Sequence, residues 1–151
     1  DLAEVVTEAV ELVLPLTDQR EQRVIASLTP GPAMVGDPQR LRSVMVNLLA
    51  NANKFAPDRS TIRVRIDWLP GWATVWVEDE GPGLPVLHGT ADLFAPFRRS
   101  PDEEPSQRGT GLGLAIVKAI AVAHGGDVVV GTPAEGKGAG IGVRLPIGSA
   151  P

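Results

Sequence analysis

Between Ile62 and Asp79 the chain spells a strand, a break and a second strand, and a one-faced helix stands directly before them. Ile62, Val64, Ile66 and Trp68 alternate with Arg63, Arg65 and Asp67. Pro70-Gly71 breaks the run and Trp72 to Asp79 resumes it, so a β-hairpin is predicted. Upstream, Asp37 is a good N-cap and Pro38 suits the first helical position. Leu41, Val44, Met45, Leu48, Leu49, Ala52 and Phe55 then fall on one helical stripe, and Pro57 stops it. A helix with one apolar stripe and a hairpin with one apolar face must cover each other, which already implies layers.

The flanking segments fit that scheme. Leu2, Val5, Val6, Ala9, Val10, Val13 and Leu14 have helical spacing, with Pro15 expected to weaken the helix. Val24, Ala26 and Leu28 alternate like a short strand ended by Pro30-Gly31-Pro32. From Glu80 to Gln107 the chain is rich in Gly, Pro and charge and holds Phe94 and Phe97 without a sustained period. A segment of that kind inside a compact domain is expected to be a functional lid. Gly111 to His124 is apolar almost all round, predicting a buried helix ended by Gly125-Gly126. Val128 to Val130, and Ile141, Val143 and Leu145, read as two last strands. No regular βαβ alternation, repeat or linker appears. The expectation is a single domain over residues 1–151, with helices layered on one face of a mixed sheet.

Composition removes several functions. The chain has no Cys, which excludes disulfides, thiolate nucleophiles and Cys-based zinc sites, and its two His residues argue against a His-rich metal centre. A net charge of −4 argues against a reader of duplex nucleic acid but leaves a nucleotide ligand open. No apolar stretch approaches the ~18 residues of a membrane span, and Asp1-Leu2-Ala3-Glu4 does not read as a signal peptide.

Three short stretches could carry chemistry. Asn47, Asn51 and Asn53 are all the Asn residues of the chain, and all fall on the helix after Asp37. Asn47, Asn51 and Lys54 lie within an arc of roughly 60° bordering the apolar stripe, while Asn53 points away. Two amides and an ammonium on one ridge suit a phosphate with its cation, because an amide oxygen is a hard ligand. Hydrogen bonding of such amides to neighbouring backbone is the equal alternative. Asp79-Glu80-Gly81-Pro82-Gly83 places a carboxylate at a strand end, where it can accept from an amino group such as that of adenine. As a bare pattern it is also a common turn. Gly109-Thr110-Gly111-Leu112-Gly113-Leu114 runs into a helix whose N-terminal N–H groups attract anions. It is not the dinucleotide fingerprint, because its last gap is one residue short. Gly131 to Lys137 imitates the start of a Walker A loop, but Gly138 fills the Ser/Thr position and a strand follows, so it is rejected.

In order and spacing together, these stretches resemble two-component histidine kinases. Asn47 to Phe55 resembles the N box, Asp79 to Gly83 the G1 box, Leu93-Phe94-Ala95-Pro96-Phe97 the F box and Gly109 to Leu114 the G2 box. Gly136-Lys137-Gly138 through Leu145-Pro146 resembles the closing Gly-rich turn and last strand. The resemblance spans roughly Leu2 to Pro146. It implies an α+β two-layer sandwich, the Bergerat-type ATP-binding fold shared with gyrase, a chaperone ATPase and a mismatch-repair ATPase. That fold has a mixed sheet of about five strands packed on three helices, and a flexible ATP lid at about residues 84–108. The ligands implied are ATP and Mg²⁺.

Carried over position by position, Asn51 is implied as the Mg²⁺ ligand, Asn47 as its helper near the phosphates and Lys54 as a phosphate contact. Asp79 is implied as the adenine reader, with Gly81 and Gly83 giving the ring access. Arg99 is implied to reach the γ-phosphate. Gly109, Thr110, Gly111, Leu112 and Gly113 form the phosphate-facing turn, and Phe94 and Phe97 pack the lid. Hydrolysing relatives usually hold Glu where Asn47 stands; an amide cannot be a general base, so transfer of phosphate to a protein is favoured over hydrolysis. An ATPase or a serine-kinase regulator of the same superfamily, and a nucleotide-binding module without catalysis, are the alternatives.

The sequence departs from the family in three places. Ala139, Gly140, Ile141 and Gly142 stand where Ser/Thr before an aromatic residue is frequent, Glu80 stands where Asn is common, and no Ser-His-Glu-like acceptor motif occurs. His88 falls in a loop and His124 precedes Gly125-Gly126 as a helix finisher, so neither is an acceptor. The chain is therefore expected to be the catalytic piece of a longer, membrane-bound sensor kinase, on its cytoplasmic side and monomeric in isolation. Its expected partners are the dimerisation domain that carries the acceptor His and, indirectly, a response regulator, with no nucleic acid. Trp68, Trp72 and Trp76 are expected to pack the sheet, Arg63 and Arg65 to form a solvated strand face, and Asp102-Glu103-Glu104 a solvated tip.

Overall fold

Asp1 opens the first helix by accepting the Ala3 N–H at 2.8 Å, and α1 runs over Leu2–Gln19. The computed structural model describes residues 1–83, 94–95, 113–131 and 138–148. The remaining elements are β1 (Arg23–Ser27), α2 (Pro38–Phe55), β2 (Thr61–Leu69), β3 (Trp72–Glu78), α3 (Gly113–Ala123), β4 (Asp127–Gly131) and β5 (Gly140–Pro146).

The strands form one sheet in the order β1-β2-β3-β5-β4, with β1 parallel to β2 and every other pair antiparallel. The register puts Ile62, Val64 and Ile66 on the same face as Ala73, Val75 and Val77 of β3 and Ile141, Val143 and Leu145 of β5. All nine are buried. The helices cover that face. α2 lies in the middle and touches both α1 and α3. Its Leu41, Val44, Met45, Leu48, Leu49 and Ala52 join Leu2, Val5, Val6, Ala9 and Val13 of α1 in the core. This is the α+β two-layer sandwich that the sequence predicts, with five strands and three helices among the described residues.

Two expectations need correction. α1 does not weaken at Pro15; it continues to Gln19. Proline removes one backbone donor there, and the buried Thr17 adds a local bond by donating its hydroxyl to Leu14 O at 3.0 Å. Nor is α3 buried all round. Val117 and Ala121 are buried, whereas Ile116 and Val122 are exposed; among the described residues the helix rests mainly on α2 and the β4–β5 side of the sheet. Its end is as predicted. The Gly126 N–H bonds Ala121 O and the Gly125 N–H bonds Val122 O, both at 2.9 Å, which closes a Schellman turn.

The sheet face away from the helices is held by stacking. Trp76 lies across Gly142 and Gly131, under the Arg65 guanidinium at 5.3 Å, and Arg144 stands 4.2 Å over Trp72. Arg65 is thus not merely solvated; it also pairs with Asp67 and with the buried Glu78. Trp68 donates its indole N–H to Thr29 O at 2.8 Å.

Candidate functional site

α2 positions the amide ridge, and both its ends are fixed. Asp37 Oδ1 accepts from the Gln39 and Arg40 N–H groups at 3.0 and 3.2 Å. The Asp37 N–H in turn donates to His124 Nε2 at 3.1 Å, while His124 Nδ1 meets Ile120 O at 2.8 Å. His124 therefore finishes α3, as expected, and also ties it to the start of α2. That pairing fixes the neutral tautomer with the proton on Nδ1.

Along the ridge, Asn47 donates through Nδ2 to Ser43 O at 2.8 Å, so part of its amide serves the backbone. Its Oδ1 remains beside α3, 3.1 Å from where a Cβ would stand on Gly113. A side chain at 113 would therefore crowd the Asn47 amide, which would have to give by a few tenths of an ångström. Asn51 is half-buried and makes no hydrogen bond through its side chain among the described residues. Lys54 Nζ lies 4.9 Å over the Phe55 ring. Asn53 points away, as predicted, and bonds Gln22 Oε1 at 2.7 Å.

The second half of the site is built where β3 ends. Asp79 is 7% exposed, and its Oδ1 accepts the Gly81 N–H at 2.8 Å. Burial pushes its carboxyl above the usual carboxylate range, with the backbone N–H groups of Gly81 and Ala139 pulling partly back. A carboxylate has about four acceptor positions, so these two backbone donors leave room for one more N–H. Asp79 is held in place by its own N–H, which donates to Ala139 O at 2.9 Å. That bond uses only the backbone of residue 139, so the Ser/Thr hydroxyl frequent there in the family is not needed to seat Asp79.

Two glycines make the packing around Asp79 possible. A Cβ on Gly81 would sit 2.8 Å from Phe55 O and 2.9 Å from Asp79 Oδ1. A Cβ on Gly138, whose φ is +84°, would sit 1.8 Å from Asp79 O. Gly83 in turn stands against Gly138 O. The end of α2, the turn after β3 and the turn before β5 therefore converge on the one carboxylate. Glu80 faces elsewhere and accepts the Thr61 N–H at 3.0 Å.

The structure thus brings together Asn47 with Gly113, and Asp79 with Gly81, Gly83 and the Gly138-Ala139 turn. Arg99, Gly109, Thr110, Gly111, Leu112, Phe97, His88, the acidic tip and the segment 84–108, apart from residues 94–95, lie outside the described residues. Phe94 is described. It is 3% exposed and joins the main core.

Residues 36–149 match the family described as Histidine kinase-, DNA gyrase B-, and HSP90-like ATPase. The chain belongs to that family. It is a catalytic, ATP-binding domain of the sensor histidine kinase type, and similar proteins bear this out. It is 33% identical to the histidine protein kinase DivJ of Caulobacter vibrioides over 152 aligned residues, covering all of this chain and 25% of that one. Among solved structures, the mycobacterial sensor histidine kinase MprB is 33% identical with a TM-score of 0.83, and the match covers 97% of this chain and 95% of that one. Full-length ShkA in complex with AMPPNP is 28% identical with a TM-score of 0.81, over 99% of this chain and 31% of that one. The chain spans about a quarter or less of the curated relatives it matches, at 25% for DivJ and 14% for the sensor histidine kinase TmoS of Ectopseudomonas mendocina.

Within this histidine-kinase-type domain, sequence reasoning missed Arg20 and Gln22. Gln22 is 5% exposed, and its amide nitrogen meets the carbonyls around the end of α2. Both residues stand between a helix and a strand, where polar residues ordinarily mark a solvated turn, and no local pattern separates them from one.

Proposed function

We propose that the chain binds ATP with Mg²⁺ and presents the γ-phosphoryl group to a His on a separate dimerisation domain of the same kinase, in a relay that ends on a response regulator. The observation that carries this reading is the buried carboxylate of Asp79, fixed at the end of β3 between two glycine turns. It retains acceptor capacity for an adenine amino group, and Gly81 and Gly83 let the ring lie against backbone. Asn51, whose amide has no partner among the described residues, offers its oxygen to the cation. Asn47 and Lys54 face the phosphates. Arg99 and the glycines from Gly109 to Gly113 take their phosphate roles from the family resemblance.

A bound Mg²⁺ supplies charge neutralisation on the phosphates. The chain's own residues bind and orient. Asn47 cannot take a proton from water, so this position does not activate hydrolysis. In the transfer, the γ-phosphorus parts from the β–γ bridging oxygen and bonds to an imidazole nitrogen. ADP leaves with the electron pair, and the imidazole proton passes to a base on the acceptor's own domain or to solvent. The ShkA structure in complex with AMPPNP supports an adenine nucleotide as ligand. We assign the chain to the cytoplasmic side of a membrane-bound parent. No helix among the described residues is long and apolar enough to cross a membrane. Residues 1–151 act as one monomeric unit in this reading.

Calorimetry with ATP and GTP in millimolar Mg²⁺ tests the site, and a dimerisation hairpin added in trans with labelled ATP tests the transfer. Binding of ATP in preference to GTP, with label on the hairpin His, is expected. Asn51→Ala should bind ATP with little response to Mg²⁺. Robust steady-state hydrolysis without a hairpin, or no heat with any adenine nucleotide, refutes the reading.

A further inference from the structure

A helix leaves its last carbonyls without partners inside the helix, and on a protein surface water usually takes them. At the end of α2 side chains do so instead, the buried Gln22 among them. The Gln22 amide nitrogen lies 3.1 Å from Asn53 O, 3.1 Å from Ala56 O and 3.3 Å from Pro57 O, so its two hydrogens serve three carbonyls. Its Oε1 accepts from Asn53 Nδ2 at 2.7 Å, and that nitrogen also reaches Leu16 O at 3.3 Å near the end of α1. Arg20 adds a cation at the negative end of the helix. Its Nη1 bonds Asn53 O and Lys54 O, and its Nε bonds Asp58 Oδ1 at 2.7 Å. Between them Glu21 takes a φ of 53°, unusual for a residue with a side chain, and both neighbours reach the same helix end.

We propose that Gln22, with Arg20 and Asn53, is a positioning device for the nucleotide site. The proposal rests on the ATP-binding reading above. The path is one of direct contacts. The carbonyls of Asn53 and Lys54 are gripped, which fixes the backbone that carries Lys54 and, one turn earlier, Asn51. The next carbonyl, Phe55 O, lies against Gly81, with only 2.8 Å to the place of a Cβ there. The Gly81 N–H is the donor on Asp79 Oδ1. Any retreat of the helix end therefore moves the phosphate ridge and the purine-reading carboxylate together. None of the three residues belongs to the ridge or to the glycine turns. The charge type also matters. A carboxylate at position 22 would face three carbonyl oxygens, and an apolar side chain would take the side-chain donor from Ala56 O and remove one partner each from Asn53 O, Pro57 O and the Asn53 amide.

The test uses the whole chain with Gln22→Met, Asn53→Ala and the pair combined, and ATP with millimolar Mg²⁺ as the probe. Near-ultraviolet circular dichroism of the tryptophans reports folding, calorimetry reports Kd, and hydrogen exchange reports residues 53–57 and 79–81. Folded single variants are expected to bind ATP about tenfold more weakly. The double variant should be no weaker than the worse single, and exchange should rise in both segments. If Gln22→Met does not fold, Arg20→Gln removes the charge and leaves the amide in place, and the same weakening at smaller size is expected. Folded variants with the Kd of the unsubstituted chain overturn the proposal, as does full additivity in the double variant. Absence of ATP binding by the unsubstituted chain is a separate outcome, which overturns the proposed function and this inference with it.

Discussion

Gly138→Ala probes the tightest backbone approach at the site. The new methyl would stand 1.8 Å from Asp79 O and 2.9 Å from the Glu80 Cα. Ordinary contact requires a retreat of about 1.5 Å. The substitution also forces alanine to a φ of +84°, at about 1–2 kcal/mol. The retreat stretches the 2.9 Å bond from the Asp79 N–H to Ala139 O, worth about 1 kcal/mol net. The sum is about 2–3 kcal/mol, which lowers the melting temperature of a domain this size by roughly 5–10 °C. Gly71→Ala separates the two causes, since Gly71 has a φ of +79° with nothing within 4 Å of its Cβ position. It should show only the backbone penalty, about 1–2 kcal/mol, and keep ATP affinity. Gly138→Ala should lose more stability and bind ATP about tenfold more weakly, because Asp79 moves. Thermal unfolding and calorimetry on both variants decide it. Equal losses of stability with equal, undiminished ATP affinity refute the reasoning.

Asp79→Asn should stabilise the nucleotide-free chain while weakening ATP binding. Because burial raises the Asp79 pKa, the folded chain keeps this proton to higher pH than the unfolded chain does. Stability therefore falls as pH rises from the ordinary carboxylate range through the raised value, and the Asn variant should lack that decline in a denaturant series across pH. His124→Ala removes the contacts at Ile120 O and the Asp37 N–H and should cost about 1–2 kcal/mol by urea unfolding. Trp76→Ala strips the face opposite the helices and should cost about 1–3 kcal/mol in the same assay, with ATP affinity unchanged.

Much of this was legible in sequence because it is local. The alternation from Ile62 to Trp68 and the stripe from Leu41 to Ala52 report burial directly. Asp37-Pro38 and Gly125-Gly126 mark helix ends with residues whose chemistry suits nothing else there. Apolarity all round Gly111 to His124 overstated the burial of α3, since periodicity cannot say how many neighbours a helix will find. The amide ridge and the Asp79 turn were visible as motifs. Their convergence was not, because Gly81 meets Phe55 and Gly138 meets Asp79 across long stretches of chain. Gln22 was invisible for the same reason, as its partners lie more than thirty residues away at 53, 56 and 57.

The stretch shared with the wider family begins at residue 36, after α1 and β1. Yet β1 pairs along β2 from Thr61 to Arg65, and α1 sends five apolar side chains against α2. A fragment trimmed to the matched residues would strip from α2 the apolar cover that α1 gives it and turn β2 into an open edge strand, prone to pair with another chain. Chimeras between kinases of this type should therefore be joined ahead of Asp1, so that the first helix and strand travel with the motifs they support.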